Sequence, residues 1–351
     1  MAYRVLIGKR LIEKTGDYAD QLTRAASSAG ALLARRLPQT RAPLTANRLL
    51  QALLETRQPQ IFAESQIAGD GTDWNHEELS ILGDLSIAAE VLVYDDGKHT
   101  NPTPHREPFP GTLVFTCGAL LRSGHGHPTP DLAEVAADGV IDEATYAGLY
   151  ARRLGPVFEY IQTSAERRDR GAVVTVPGLG CGQFAGRFQG QLGPILQLAL
   201  NHFLEAQAPA LSRIQAVVYD PYTECSDTSE QFGTLEFRTR PLAHSANPHP
   251  QLCPPTDYQE GKDDFGDCDL YSLVAWDHVS WPGNDFFIGS RATDDGVKAA
   301  ATSSMHAMTE IEGRYDAGRA MYLPPTGYQT WGECVDRNDL HLELGVPFVQ
   351  T

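Results

Sequence analysis

From residue 90 to residue 222 apolar, β-branched runs alternate with helical stretches, and this alternation restricts the possible fold more than any other feature of the chain. EVLVYDD (90–96), GTLVFTCGALL (111–121), GAVVTVPGLG (171–180) and IQAVVYDPY (214–222) read as strands; ATYAGLYARRLGPVFEYIQTSAERR (144–168) and GPILQLALNHFLEAQ (193–207) read as helices between them. Unbroken apolar runs of this length suit strands covered on both faces, and short strand-to-helix connections call for a layered α/β domain. Upstream, residues 17–57 place apolar side chains three and four apart, interrupted by Pro38 and Pro43, which predicts two or three amphipathic helices. Downstream, residues 223–267 are rich in Pro, His, Asn and Asp and are expected to wrap the surface as long loops. DLYSLVAWDHV (269–279) then reads as one more buried strand. The expected division is a helical extension over residues 1–85 and a catalytic α/β domain over residues 86–351.

Charge narrows the partners. With 45 acidic against 28 basic residues the formal net charge is −17, which disfavours broad docking on nucleic-acid phosphates or anionic lipid. Neither a nucleic acid nor a membrane is therefore an expected partner. A small anion remains open to such a chain if backbone amides hold it. The start has no apolar core of secretory length, and no later stretch approaches a membrane span. The six cysteines, Cys117, Cys181, Cys225, Cys253, Cys268 and Cys334, show no C-x-x-C spacing, so neither a zinc site nor a disulfide framework is indicated. A cytoplasmic protein is expected; delivery to a host cytosol by a secretion machine that reads no N-terminal signal is equally compatible.

VVTVPGLGCGQFAGRF (173–188) sets Gly178, Gly180, Gly182 and Gly186 after a buried strand and before a predicted helix. Glycines there permit positive φ and let consecutive N–H groups point at a diphosphate, with the helix N-terminus adding partial positive charge. The bland alternative is a flexible strand-to-helix turn. The spacing fits neither a Rossmann fingerprint nor a Walker A loop.

This loop resembles the second phosphate loop of macrodomains, a Pro- and Gly-rich turn between an apolar strand and a helix. LVFTCG and IQAVVYD resemble the strands around it, and the match covers about residues 90–222. The resemblance implies a three-layer α/β/α mixed sheet that binds ADP-ribose. The strand, loop and helix that carry catalysis in that family are matched in outline by DLYSLVAWDHVSWPGNDFFIGSRATDDGVKAAATSSM (269–305), which follows the phosphate loop instead of preceding it. A circular permutation accounts for this order, and it requires Ala275 to lie close to Gly180.

The same segment resembles the MavL-type macrodomains, bacterial effector hydrolases related to the poly(ADP-ribose) glycohydrolase branch that remove ADP-ribose from ubiquitin. By residue type and spacing, the resemblance places the catalytic carboxylates on Asp277, Asp285 and Asp295. The implied ligand-contacting set is Gly178, Leu179, Gly180, Cys181, Gly182, Gln183, Phe184, Asn284 and Asp294. The Gln-Glu-Glu signature and triple glycine of the poly(ADP-ribose) glycohydrolases are absent.

Cleavage at an anomeric carbon passes through an oxocarbenium-like state, so nearby carboxylates can stabilise charge and move a proton. Asp285, in the glycine-flanked loop, is the candidate beside the reacting ribose and its water. Asp277, at a strand end, suits ribose hydroxyls or the leaving group. Asp294 and Asp295 stand in the first turn of a helix, where the dipole favours ionisation and a charge-stabilising or guanidinium-holding role. An ordinary capped helix start explains those two residues equally well. TDDG is also similar to the magnesium-binding carboxylates of dinitrogenase-reductase-type hydrolases, but nothing else of that all-helical family is present, and no metal or cofactor is expected. Trp276, Trp281 and Phe286 read as stacking platforms or core, Arg291 as a phosphate contact or an aspartate partner, and His125 and His127 as solvated loop. Cys181, at a helix start, reads as a reactive thiol or as a small residue in a tight place.

The expected activity is metal-independent hydrolysis of arginine-linked ADP-ribose on a modified protein, with ubiquitin as one candidate acceptor. The rival classes are a non-catalytic ADP-ribose reader and a nucleotide-phosphate hydrolase that uses a divalent ion.

Overall fold

The computed structural model describes residues 3–37 and 43–350; Pro38 lies outside them. The chain opens with a strand absent from the sequence reading, β1 (Tyr3–Ile7), before α1 (Lys9–Thr23), α2 (Ala31–Arg36), α3 (Ala46–Leu54), the one-turn α4 (Ala63–Gln66) and α5 (His76–Gly83). Next come β2 (Ser86–Asp95), β3 (Pro104–Cys117), α6 (Pro130–Val135), the small hairpin β4 (Ala136–Ala137) and β5 (Val140–Ile141), and α7 (Glu143–Arg168). β6 (Gly171–Pro177), α8 (Leu192–Gln207), β7 (Ile214–Asp220), β8 (Thr228–Phe232), β9 (Leu235–Thr239) and β10 (Cys268–Trp276) follow. The chain closes with α9 (Asp294–Ala301), α10 (Ser304–Thr309), the hairpin β11 (Arg314–Asp316) and β12 (Met321–Leu323), α11 (Trp331–Arg337) and β13 (Phe348–Val349).

Nine strands form one mixed sheet in the order β13-β1-β2-β3-β10-β6-β7-β9-β8. β3, β10, β6, β7 and β9 run parallel, while β1–β2, β2–β3 and β8–β9 pair antiparallel. All seven residues of β6 are buried, as a parallel strand covered on both faces requires. Alternate residues along β10 divide between two cores: Leu270 and Val274 join one cluster, Tyr271 and Leu273 the other. α7 and α8 cover the second face. The first face is covered by α9, α10 and α11 together with apolar residues of α1, α2, α3 and α5, including Leu11, Tyr18, Leu33, Leu50 and Leu82. The N-terminal helices thus share one core with the helices that follow β10.

The late strand β10 occupies the centre of the sheet, between β3 and β6. Ala275 lies opposite Thr116, and Gly118, two residues on, donates its N–H to the Trp276 carbonyl at 3.3 Å. Gly118 also packs so closely on the Gly180 backbone that a Cβ would overlap the Gly180 nitrogen. The proximity of Ala275 to Gly180 demanded by a permuted order is therefore met.

Two sequence expectations need correction. Residues 223–267 are not loops alone, because β8 and β9 form a hairpin within them, turning at Gly233 with φ 64°. β8 reads as polar because it is an exposed edge strand, which hides the alternation. The helix expected directly after the glycine loop begins only at Leu192, behind a 3₁₀ turn over Gln183–Phe188. Its dipole is displaced from the glycines accordingly.

Candidate functional site

The parallel strands β3, β10, β6 and β7 end on the same side of the sheet, and the glycine loop and the acidic segment both leave from those ends. Within the loop, Gly180 has φ 75°, and a Cβ there would stand 2.8 Å from the Ala119 nitrogen. Tyr150 clamps the turn from beneath: its hydroxyl donates to Leu179 O at 2.6 Å and accepts from Ala119 N at 3.0 Å. Leu121 N–H reaches Phe184 O at 2.8 Å, which ties the segment after β3 to the loop. Leu179, Gly180 and Cys181 are buried, Gly178 and Phe184 half-buried, and Gly182 and Gln183 exposed. Burial pushes the Cys181 thiol far above its ordinary value, which disfavours a reactive thiolate.

The acidic segment is folded by its own carboxylates. Asp277 Oδ1 accepts from Val279 N at 2.7 Å and Ser280 N at 2.6 Å, and Oδ2 accepts from Asn284 Nδ2 at 3.0 Å. Asp285 Oδ2 accepts from Ala292 N at 2.7 Å and Thr293 N at 3.3 Å, and its Oδ1 accepts from the Thr293 hydroxyl. Asp295 Oδ1 accepts from Gly283 N at 2.6 Å and Oδ2 from Asn284 N at 3.1 Å. All three side chains are buried, and Asn284 bridges Asp277 and Asp295. Each oxygen has two lone-pair sites, so acceptor capacity remains on Asp277 Oδ2, on Asp285 Oδ1 and on both Asp295 oxygens. Gly296 makes this arrangement possible, because a Cβ at that position would overlap Asp285 Oδ1.

Burial pushes the Asp295 carboxyl well above the usual carboxylate range; the Gly283 N–H opposes the shift, and the charges of Asp277, Asp285 and Asp294 add to it. The direction is opposite to the one the helix dipole favours, since loss of water acts against the charged form. Asp294 is bonded elsewhere: its Oδ2 accepts from Ala275 N at 2.8 Å and from Lys298 Nζ at 3.2 Å. Lys298 is buried and also reaches Gln251 Oε1 at 2.7 Å, while Gln251 Nε2 approaches Asp220 Oδ2 at 3.4 Å. This chain joins the ends of β10, α9 and β7. Lys298 and Gln251 were missed by the sequence reading, because a single lysine in an alanine-rich helix carries no motif.

Arg57 was also missed. Its guanidinium is buried, stacks 3.9 Å over Trp276, and donates to Asp277 O and Ser280 O at 3.1 Å and to Leu82 O at 2.8 Å. Gln58 adds two main-chain bonds to the same segment, at Val279 O and Trp281 N. A second buried network holds the end of β3: Arg153 pairs with Asp131 at 2.7 Å and Asp84 at 3.2 Å, and His278 Nε2 lies 3.0 Å from Asp131.

Other sequence candidates take the bland reading. Trp276, Trp281 and Phe286 are core residues no more than 2% exposed. Arg291 is paired through both terminal nitrogens with Asp95, at 3.0 and 2.7 Å. His125 and His127 are exposed, and all six cysteines are free. A cavity of about 590 Å³ touches Arg57 and Trp281, but none of the three catalytic candidates lines it. Among the described residues no helix is long and apolar enough to cross a membrane.

A search of curated proteins finds no match to the chain. A family model described as the macrodomain effector MavL matches residues 3–328, a span that takes in β1, the N-terminal helices, the glycine loop and all three buried aspartates. With that coverage joined to a central sheet whose late strand brings the acidic segment against the glycine loop, the chain belongs to the MavL macrodomain effector family.

Proposed function

We propose that this protein is an ADP-ribosylhydrolase that removes ADP-ribose from the arginine side chain of a modified protein, with ubiquitin as a candidate acceptor. One observation carries the reading: Asp277, Asp285 and Asp295 form a single buried acidic group at the strand ends next to the glycine loop. A diphosphate held by the backbone of residues 178–184 directs the attached ribose toward that group. There, negative charge on Asp277 and Asp285 stabilises an oxocarbenium-like carbon as its bond to the guanidine nitrogen breaks; Asp295, whose carboxyl burial raises, gives that nitrogen a proton, and a water beside Asp285 adds to the carbon, its released proton restoring Asp295. Asn284 Oδ1, buried and without a partner among the described residues, is suited to accept from a ribose hydroxyl. In this reading residues 86–351 carry out the chemistry, and residues 1–85 present a lid or a surface to the modified protein. Delivery to a host cytosol accords with the effector description of the family.

A reader module is the second reading, favoured by the same hydrogen bonds: every one of the three carboxylates already orders its own loop. Calorimetry with ADP-ribose, AMP and NAD, followed by release of ADP-ribose from an arginine-linked substrate, separates the two. We expect selective ADP-ribose binding, and for Asp285→Ala a loss of turnover of about 10³-fold with binding retained. Binding without cleavage of Arg-, Ser- or Glu-linked substrates favours the reader; absence of selective binding removes both.

A further inference from the structure

The buried network at the end of β3 touches both halves of the site. Asp131, Arg153 and His278 are each no more than 1% exposed. They come from α6, α7 and the turn after β10, and the fold closes them into one group. Toward the glycine loop, Asp131 Oδ2 accepts from Leu120 N at 2.8 Å, and Arg153 Nη1 donates to Gly118 O at 3.1 Å and to Cys117 O at 3.3 Å. This segment shapes the loop: Gly118 packs on Gly180, Ala119 N–H meets the Tyr150 hydroxyl, and Leu121 N–H meets Phe184 O. Toward the acidic segment, the same Asp131 oxygen lies 3.0 Å from His278 Nε2. His278 stands between Asp277 and the two amides, Val279 and Ser280, that hold the Asp277 carboxylate.

Asp131 decides which atom donates. Burial opposes its charge, but Arg153 and His278 beside it hold its carboxyl well below the usual carboxylate range, so it only accepts and the shared proton is on His278 Nε2. Arg153 Nη2 lies 3.4 Å from the same nitrogen, but a guanidinium N–H can only donate, and this one is taken by Asp131 Oδ1 at 2.7 Å. His278 Nδ1 is buried without a partner among the described residues, so the ring has Asp131 as its anchor. The ring also has little room to shift, because a Cβ on Gly83 would stand 2.5 Å from Nε2. Cys117 and Gly118 reach Asp277 O and Trp276 O, main-chain atoms at the strand end, whereas the His278 contact holds the turn beyond them. One carboxylate oxygen thus ties the turn that orders Asp277 to the segment that shapes the glycine loop.

We infer that His278 is a positioning residue: through Asp131 it holds the acidic segment in register with the glycine loop, and so places Asp277 against the ribose of a ligand whose diphosphate the loop holds. The inference rests on the ADP-ribosylhydrolase reading above. Its consequence is a separation of binding from turnover, because the loop keeps its own braces, Tyr150 and Gly118, when His278 is lost. A misplacement of about 1 Å at a reacting centre costs on the order of 10²-fold in rate.

The test compares the unmodified protein, His278→Leu and His278→Gln by titration with ADP-ribose and by steady-state release of ADP-ribose from an arginine-linked protein substrate. His278→Leu leaves Asp131 paired with Arg153 and removes an unpartnered buried nitrogen, so it is expected to fold. Its ADP-ribose affinity is expected to stay within about twofold of the unmodified protein's, which also reports that fold. Its kcat is expected to fall about 100-fold with KM nearly unchanged. His278→Gln, whose side-chain amide offers an N–H in place of Nε2, is expected to recover most of that loss. The positioning role is overturned if kcat of His278→Leu stays within about threefold, if its ADP-ribose affinity falls together with turnover, or if His278→Gln is no better. An unmodified protein that releases no ADP-ribose from the substrate overturns the hydrolase reading, and this inference with it.

Discussion

Asp285 and Gly296 illustrate how one glycine fixes a carboxylate. Asp285 Oδ1 lies where a Cβ of residue 296 would stand, so Gly296→Ala must push the aspartate away from Ala292 and Thr293. We expect that substitution to destabilise the fold by about 2 kcal/mol, as overpacking of a closed site does, and to reduce turnover at least as much as loss of Asp285 itself. Thermal melting and an ADP-ribose release assay read the two effects. Asp295 predicts a pH dependence of definite sign. Its carboxyl is raised in the folded state, so the stability linked to its proton is complete below the ordinary Asp value and is lost as pH rises through the raised value. Asp295→Asn is therefore expected to flatten the decline in melting temperature as pH rises above the ordinary Asp range, and to remove the alkaline limb of the pH–rate profile. An unchanged decline would mean that another group is responsible.

At the scale of elements, the acidic segment depends on a partner far away in sequence. Arg57 donates to three carbonyls, at Leu82, Asp277 and Ser280; the Cys117 thiol also reaches Asp277 O at 3.0 Å and, at 3.8 Å, Leu82 O. Arg57→Met keeps the packing on Trp276 but leaves Ser280 O without its donor and Leu82 O and Asp277 O with the weak Cys117 thiol alone. A loss of roughly 3 kcal/mol is expected, since each buried acceptor left unpaired costs about 1–3 kcal/mol. Denaturant titration measures the loss, and a drop in turnover larger than the drop in stability would show that the 277–281 turn has shifted. The glycine loop is braced from below by Tyr150 and from the side by Gly118, so its shape is set by β3 and α7 as much as by its own glycines.

For the whole molecule, residue 85 marks no boundary between cores. β1 pairs with β2 through four residues, and Leu49, Leu50, Leu53, Leu79 and Leu82 lie in the same cluster as Phe115, Val274 and Phe287. A fragment of residues 86–351 is therefore expected to expose this face and to be insoluble or unfolded; far-UV circular dichroism and solubility of the fragment check this. A folded fragment that binds ADP-ribose would show that the shared core is dispensable.

The layered α/β class, the buried strands and the glycine loop were legible in the sequence because each depends on local pattern: unbroken apolar runs, 3.6-residue periodicity and glycines at a strand end. The positions of Asp277, Asp285 and Asp295 were legible by resemblance of one segment, since their spacing within that segment is short. Tertiary structure alone decided what surrounds them. The central place of β10, the sharing of one core by the N-terminal helices, and the arrival of Arg57, Gln251 and Lys298 at the site are contacts across long stretches of chain. The upward shift of the Asp295 carboxyl belongs to the same class, because it depends on how much water the assembled fold excludes, a quantity that no local pattern of residues encodes.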